Sequence, residues 1–280
     1  MNVPKLLAGT AIAAALLWSG GANAAFIDFG GYTGLALIKF QNYESFNTTS
    51  IGVGSQNFGV VEVTSIQDPT TGANIWTQGG SNGYLSAVFN GITVASVTAT
   101  AGGFNTTNTG GTFELWQTAA NFDPSQGTGG YTAAGCTVGG LCYNGITNAG
   151  GTDVLNFNLV PGTTTDPTNT LSAFITTETL PTSGNAEGFA DITGGTDAPQ
   201  FGTGGFTTDI ANADLHFLDN FCGNGQSGCG GPTSSNWDLF SQDPVNANIV
   251  TPAVPEPASL ALLGTALLGF GAVARWRWKK

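Results

Sequence analysis

No stretch between residues 26 and 250 sustains the i, i+3, i+4 spacing of apolar residues over the length of an amphipathic helix. The apolar residues come in short β-branched and aromatic runs cut by clusters of Gly, Asn, Thr and Pro. A chain patterned this way has no helical stripe to bury, but it can bury the faces of strands. The expected fold is all-β: a single jelly-roll-like β-sandwich with long Gly/Thr-rich loops. Strands are expected over 34–40, 58–66, 84–89, 92–100, 112–117, 154–160, 171–180, 189–193 and 214–221. Asn90-Gly91 sits between two of these runs and predicts a two-residue hairpin turn, because Asn-Gly suits two consecutive positive φ angles. The stretches 101–111, 127–151 and 161–170 read as loops within one domain spanning 25–241. The segment 242–257, with four prolines, reads as a linker. The 43 glycines keep no three-residue period, which excludes collagen, and a hydrophobic content of 41% suffices for a core.

Charge is distributed unevenly. The basic residues are Lys5, Lys39, Arg275, Arg277, Lys279 and Lys280, so the body between the two ends sets 17 acids against one lysine, a net charge of −16. Such a body repels phosphate backbones, which excludes nucleic acid as a partner. Its natural counterparts are cations, basic partners and neutral sugars.

Both ends read as addresses. Lys5, an apolar run over 6–18 and Ala22-Asn23-Ala24 form a secretory signal peptide over 1–24, with its own apolar helix and passage through the Sec translocon. At the other end, the uncharged stretch 258–274 would make a helix of roughly 25 Å, slightly short for a bilayer core. Basic residues follow it, predicting a transmembrane segment over 258–280 with a cytoplasmic tail and an inner-membrane partner.

The run Val254-Pro255-Glu256-Pro257-Ala258-Ser259-Leu260, the apolar stretch and the terminal basic cluster occur in order. Together they resemble the PEP-CTERM sorting signal of Gram-negative bacteria. The resemblance covers about the last 27 residues. It implies that an exosortase recognises Pro255, Glu256 and Pro257, and that Arg275, Arg277, Lys279 and Lys280 form the basic tail of the signal. It also implies a destination at the cell surface or in the extracellular polymer matrix. It implies nothing about the fold of the body.

Four cysteines form two close pairs, Cys136 with Cys142 and Cys222 with Cys229. In an exported chain each pair is expected to close a small disulfide loop, with crossed pairings as the alternative. The spacings are wide for a four-thiolate zinc site.

The body offers little chemistry. Gly79-Gly80-Ser81-Asn82-Gly83 fits the Gly-x-Ser-x-Gly pattern of a nucleophile elbow, but a strand follows it where the elbow requires a helix. His216, the only histidine, reads as a partly buried strand residue. Asp191, Asp197, Asp209, Asp214 and Asp219 could supply oxygen ligands to Ca²⁺, the one cofactor this composition would suit, although no calcium-loop spacing accompanies them. A solvated acidic surface is the preferred reading, with no catalytic residue and no metal site assigned.

The expected function is that of a non-enzymatic surface or matrix protein associated with exopolysaccharide in biofilm or floc formation. The alternative is a carbohydrate-binding, lectin-like module with Trp76, Trp116 or Trp237 stacking on sugars. A secreted hydrolase is the third reading.

Overall fold

The computed structural model describes residues 27–119, 151–223, 226, 229, 237–242 and 244–251. Among these there is no α-helix, only two short 3₁₀ turns and fourteen β-strands. In chain order the first seven are β1 (Gly34–Phe46), β2 (Gln56–Gln67), β3 (Asn74–Thr77), β4 (Tyr84–Thr100), β5 (Gly103–Thr109), β6 (Thr112–Thr118) and β7 (Thr152–Val160). The remainder are β8 (Leu171–Ile175), β9 (Gly184–Gly194), β10 (Phe206–Thr207), β11 (Asn212–Ala213), β12 (Leu215–Gly223), β13 (Leu239–Ser241) and β14 (Pro244–Ile249).

Twelve of these form one antiparallel network, and β10 and β11 make a separate small ribbon. The network is sandwich-like, but its pairings run round without a break. At one level the wall runs β1–β2–β4–β6–β7–β9–β12–β14 and returns to β1. At the other level β5 and β8 replace β6 and β7, and β13 replaces β14. Eight strands thus close the wall at either level, a number that encloses an interior just wide enough for side chains or one small ligand. The expected jelly-roll sandwich of two separate sheets is corrected accordingly.

The long strands β4 and β9 make the exchange between levels. Tyr84–Asn90 of β4 pairs with β6, and Thr93–Thr100 pairs with β5. The expected Asn90-Gly91 hairpin is therefore not a turn. Gly91, at φ +78°, lies within β4 where its register against β2 shifts. The irregularity lets Phe89 and Ile92, three residues apart, both line the interior. Two expected non-strand stretches also join the network. β5 occupies the 101–111 loop, and β14 lies in the expected linker with Pro244 as its first residue, a position where no ladder donor is needed.

Strand alternation sends one series of side chains inward. Along β1 these are Ile38, Phe40, Asn42, Glu44 and Phe46, and along β12 Leu215, Phe217, Asp219 and Phe221. Two apolar clusters fill the two levels. The larger contains Phe40, Val61, Phe89, Leu155 and Leu215; the smaller contains Ile51, Val94, Ile175, Phe221 and Leu239. Within the larger, Phe113 stacks between Phe89 at 5.1 Å and Phe157 at 4.7 Å, and Phe217 completes the set at 5.6 Å from Phe157.

The helical ends are corrected in the same terms. No helix among the described residues is long and apolar enough to cross a membrane. The signal helix expected over 1–24 and the transmembrane sorting helix expected over 258–280 lie outside the described residues. Among the described residues there is therefore no segment that could anchor the chain in an inner membrane by a helix.

Candidate functional site

The outer face of β5, β8, β9 and β12 carries a groove of about 680 Å³. Its floor is set by register. Because Thr106, Ala173, Ala186 and Asp219 line the interior, their strand neighbours face out. Cross-strand pairing arranges those neighbours in two rows. One runs Thr107, Ser172, Glu187, Leu218; the other runs Asn105, Phe174, Asn185, Asn220. The groove thus offers amides and hydroxyls, one carboxylate, and two apolar surfaces in Phe174 and Leu218.

The loop after β7 forms one rim. Asn169, only 1% exposed, anchors it. Its Nδ2 donates to Thr163 Oγ1 at 3.1 Å and to Ser172 Oγ at 2.8 Å, and its Oδ1 accepts the backbone N–H of Asn108 at 3.2 Å. One buried side chain therefore fixes the rim to both β5 and β8. At the far end His216 Nε2 lies 3.0 Å from Glu187 Oε1, and the imidazole stacks on Phe189 with centroids 4.6 Å apart.

The interior holds a second polar group. Asn42 Nδ2 donates to Glu44 Oε1 at 2.6 Å, and Asn57 Nδ2 donates to Glu44 Oε2 at 2.7 Å. Burial first, and then the neighbouring Asp219 carboxylate to which Glu44 hydrogen-bonds, push the Glu44 carboxyl up to about 8. At neutral pH Glu44 is therefore protonated. It separates the two apolar clusters.

The residues singled out from sequence are dispersed. Ser81 lies in a 3₁₀ turn over Gly80–Asn82, closed by Gly79 N–H to the Gly83 carbonyl at 2.6 Å and followed by β4. The turn lacks the helix an elbow needs. The five aspartates do not converge. Asp197 accepts the Ile27 N–H at 3.0 Å, Asp214 accepts the N–H groups of Ile192 and Gly204, and Asp219 lines the interior. Among the described residues no group of three or more His, Cys, Asp or Glu could hold a metal ion. Trp76 and Trp237 are packed away at 2% and 4% exposure and cannot stack on a sugar. Cys222 is disulfide-bonded to Cys229, with Cα atoms 5.9 Å apart. Cys136 and Cys142 lie outside the described residues, as do Pro255, Glu256, Pro257, Arg275, Arg277, Lys279 and Lys280.

Sequence reasoning missed the groove. Its only signal was the alternation of polar residues along 103–109 and 184–188, readable as an outward face once those stretches are known to be strands.

Comparison with known proteins identifies the C-terminal region and nothing else. Residues 253–277 match the PEP-CTERM protein-sorting motif. That match includes Pro255, Glu256 and Pro257, so the chain is an exported protein handled by exosortase. No curated protein and no solved structure matches the chain.

Proposed function

We propose that the folded body is a non-enzymatic component of the cell surface or extracellular matrix that binds neutral exopolysaccharide in the groove over β5, β8, β9 and β12. The observation that carries this reading is the pair of cross-strand rows, Thr107–Ser172–Glu187–Leu218 and Asn105–Phe174–Asn185–Asn220. Sugar hydroxyls need alternating donors and acceptors, which amides and hydroxyls supply, and pyranose C–H faces need apolar contact, which Phe174 and Leu218 supply. Charge favours the same class. A body at −16 repels uronic-acid polymers, whereas a neutral glycan meets no such penalty.

The matrix role and the lectin-like role then become one function: the sorting motif sets the address and the groove supplies the adhesion. A hydrolase is disfavoured because Ser81 sits in a turn between β3 and β4, while His216 is held against Glu187 on the opposite, β9–β12 side of the wall. The test is genetic. Cells lacking the protein should retain less neutral polysaccharide in their matrix and flocculate less, and the wild-type chain should restore both. Unchanged aggregation and unchanged matrix composition in the deletion strain would remove the proposal.

A further inference from the structure

The interior of the wall contains a cavity of about 120 Å³ on the other side of the groove's floor. It is not purely apolar. Asn42 and Asn57, each 8% exposed, both line it, and their Oδ1 atoms are buried acceptors without a hydrogen-bond partner. Their Nδ2 groups are committed to Glu44, so neither amide can turn over to present its donor without breaking a bond of 2.6 or 2.7 Å. Glu44 and Asp219 line the same cavity, and no Lys, Arg or His among the described residues does. The polar end of the cavity thus presents two unmatched acceptors, Asn42 Oδ1 and Asn57 Oδ1, beside the hydrogen-bonded Glu44–Asp219 carboxyl pair. Its other end is aromatic, formed by Phe89, Phe113, Phe157 and Phe217.

We infer that this cavity is a binding site for a small primary alkylammonium ion, its –NH₃⁺ directed at Asn42 Oδ1, Asn57 Oδ1 and the Glu44–Asp219 carboxyl pair and its alkyl group against the phenylalanines. An ammonium carries three donors and no acceptor, which matches a site whose two unmatched amide oxygens are acceptors. Aromatic faces beside a carboxylate suit an organic cation better than they suit a neutral donor. Volume limits the ligand. A cavity of about 150 Å³ holds a benzene, so this one takes an alkyl group of about that size or smaller. The cavity and the groove lie on the two sides of the same strands, and Asp219 lines both.

The test is titration of the full-length protein with isobutylammonium chloride, with isobutanol as the neutral isostere and sodium chloride as the ionic control. The expected result is a saturable rise in the unfolding midpoint with isobutylammonium, at least about tenfold weaker with isobutanol and absent with sodium. Ligand methyl protons should show nuclear Overhauser contacts to phenylalanine ring protons in the wild-type protein, a readout that needs no variant. Asn57→Leu, which keeps the volume and removes one of the two unmatched acceptors, should weaken the ammonium by about tenfold or more. Equal responses to amine and alcohol would overturn the inference, as would the absence of ring contacts. Identical affinity in Asn57→Leu would place any binding on the acidic surface and overturn it too.

Discussion

Asn57 Nδ2 donates to Glu44 Oε2 at 2.7 Å, a buried bond that joins β2 to β1 across the interior. It holds a carboxyl group where water cannot solvate its charge. Stability should therefore fall as pH rises. The folded protein keeps the Glu44 proton up to about pH 8, while the unfolded chain releases it near the ordinary value of 4.5. The contribution is fully present below pH 4.5 and is lost between 4.5 and 8, on the order of 5 kcal/mol at most. Asp197 and Asp191, both raised first by burial, act with the same sign. Urea unfolding at pH 5 and pH 8.5 measures the drop, and Glu44→Gln should flatten most of it. A wild-type protein more stable at pH 8.5 would show that Glu44 is not buried as described.

Gly59 faces inward on β2 because the ring of Phe89 lies over it. A Cβ there would sit 2.6 Å from that ring and would clash with the Tyr43 carbonyl oxygen. Backbone cannot give way cheaply, so Gly59→Ala should cost about 1–3 kcal/mol. Thermal unfolding would read this as a clear drop in midpoint, and an unchanged midpoint would contradict the packing of β2 against β4.

Asn169→Ala should release the rim of the groove. Four hydrogen bonds of one buried amide disappear, among them the one that gives the Asn108 N–H its acceptor, a cost of about 1–3 kcal/mol. Hydrogen exchange should rise in 161–170 and in β8 before it rises in β1 or β2. Uniform loss of protection would mean that the loop is not a separate unit.

The sorting motif makes its own prediction. Replacing Pro255, Glu256 and Pro257 by alanines should leave the folded body unaltered and abolish surface delivery, because the matched region 253–277 lies beyond the last described strand, β14. Cell fractionation with intact-mass analysis reads both. Normal delivery of the variant would dissociate the motif from export.

How much of this was legible depends on what each residue reports locally. The runs in β1, β2, β6 and β7 are apolar enough to show a buried face, and their cores fall where expected. β5 is Gly-Phe-Asn-Thr-Thr-Asn-Thr, a polar string whose strand state rests on pairing with β4 and β8 rather than on its own composition. Asn90-Gly91 carries a strong hairpin signal, yet pairing of β4 with β2 on both sides of it turns it into an irregularity within one strand. The polar interior could have been found by counting. Asn42 and Glu44 continue the period-two series begun by Ile38 and Phe40, but polar residues at the end of an apolar run read as a strand ending. Closure of the wall was invisible, since it depends on β9 meeting β12 and β1 meeting β14, contacts across long separations that no local pattern encodes.

Binding of the purified full-length protein to the neutral exopolysaccharide of the producing cells is the most direct test of the central claim, made by affinity gel electrophoresis with wild type beside Asn185→Ala/Asn220→Ala. Both asparagines are exposed on the groove and both substitutions are neutral, so the net charge and the core stay as they are. Polysaccharide in the gel should retard the wild type and retard the double variant about tenfold less. Equal retardation of the two, or none of either, would contradict the groove as the site of polysaccharide binding.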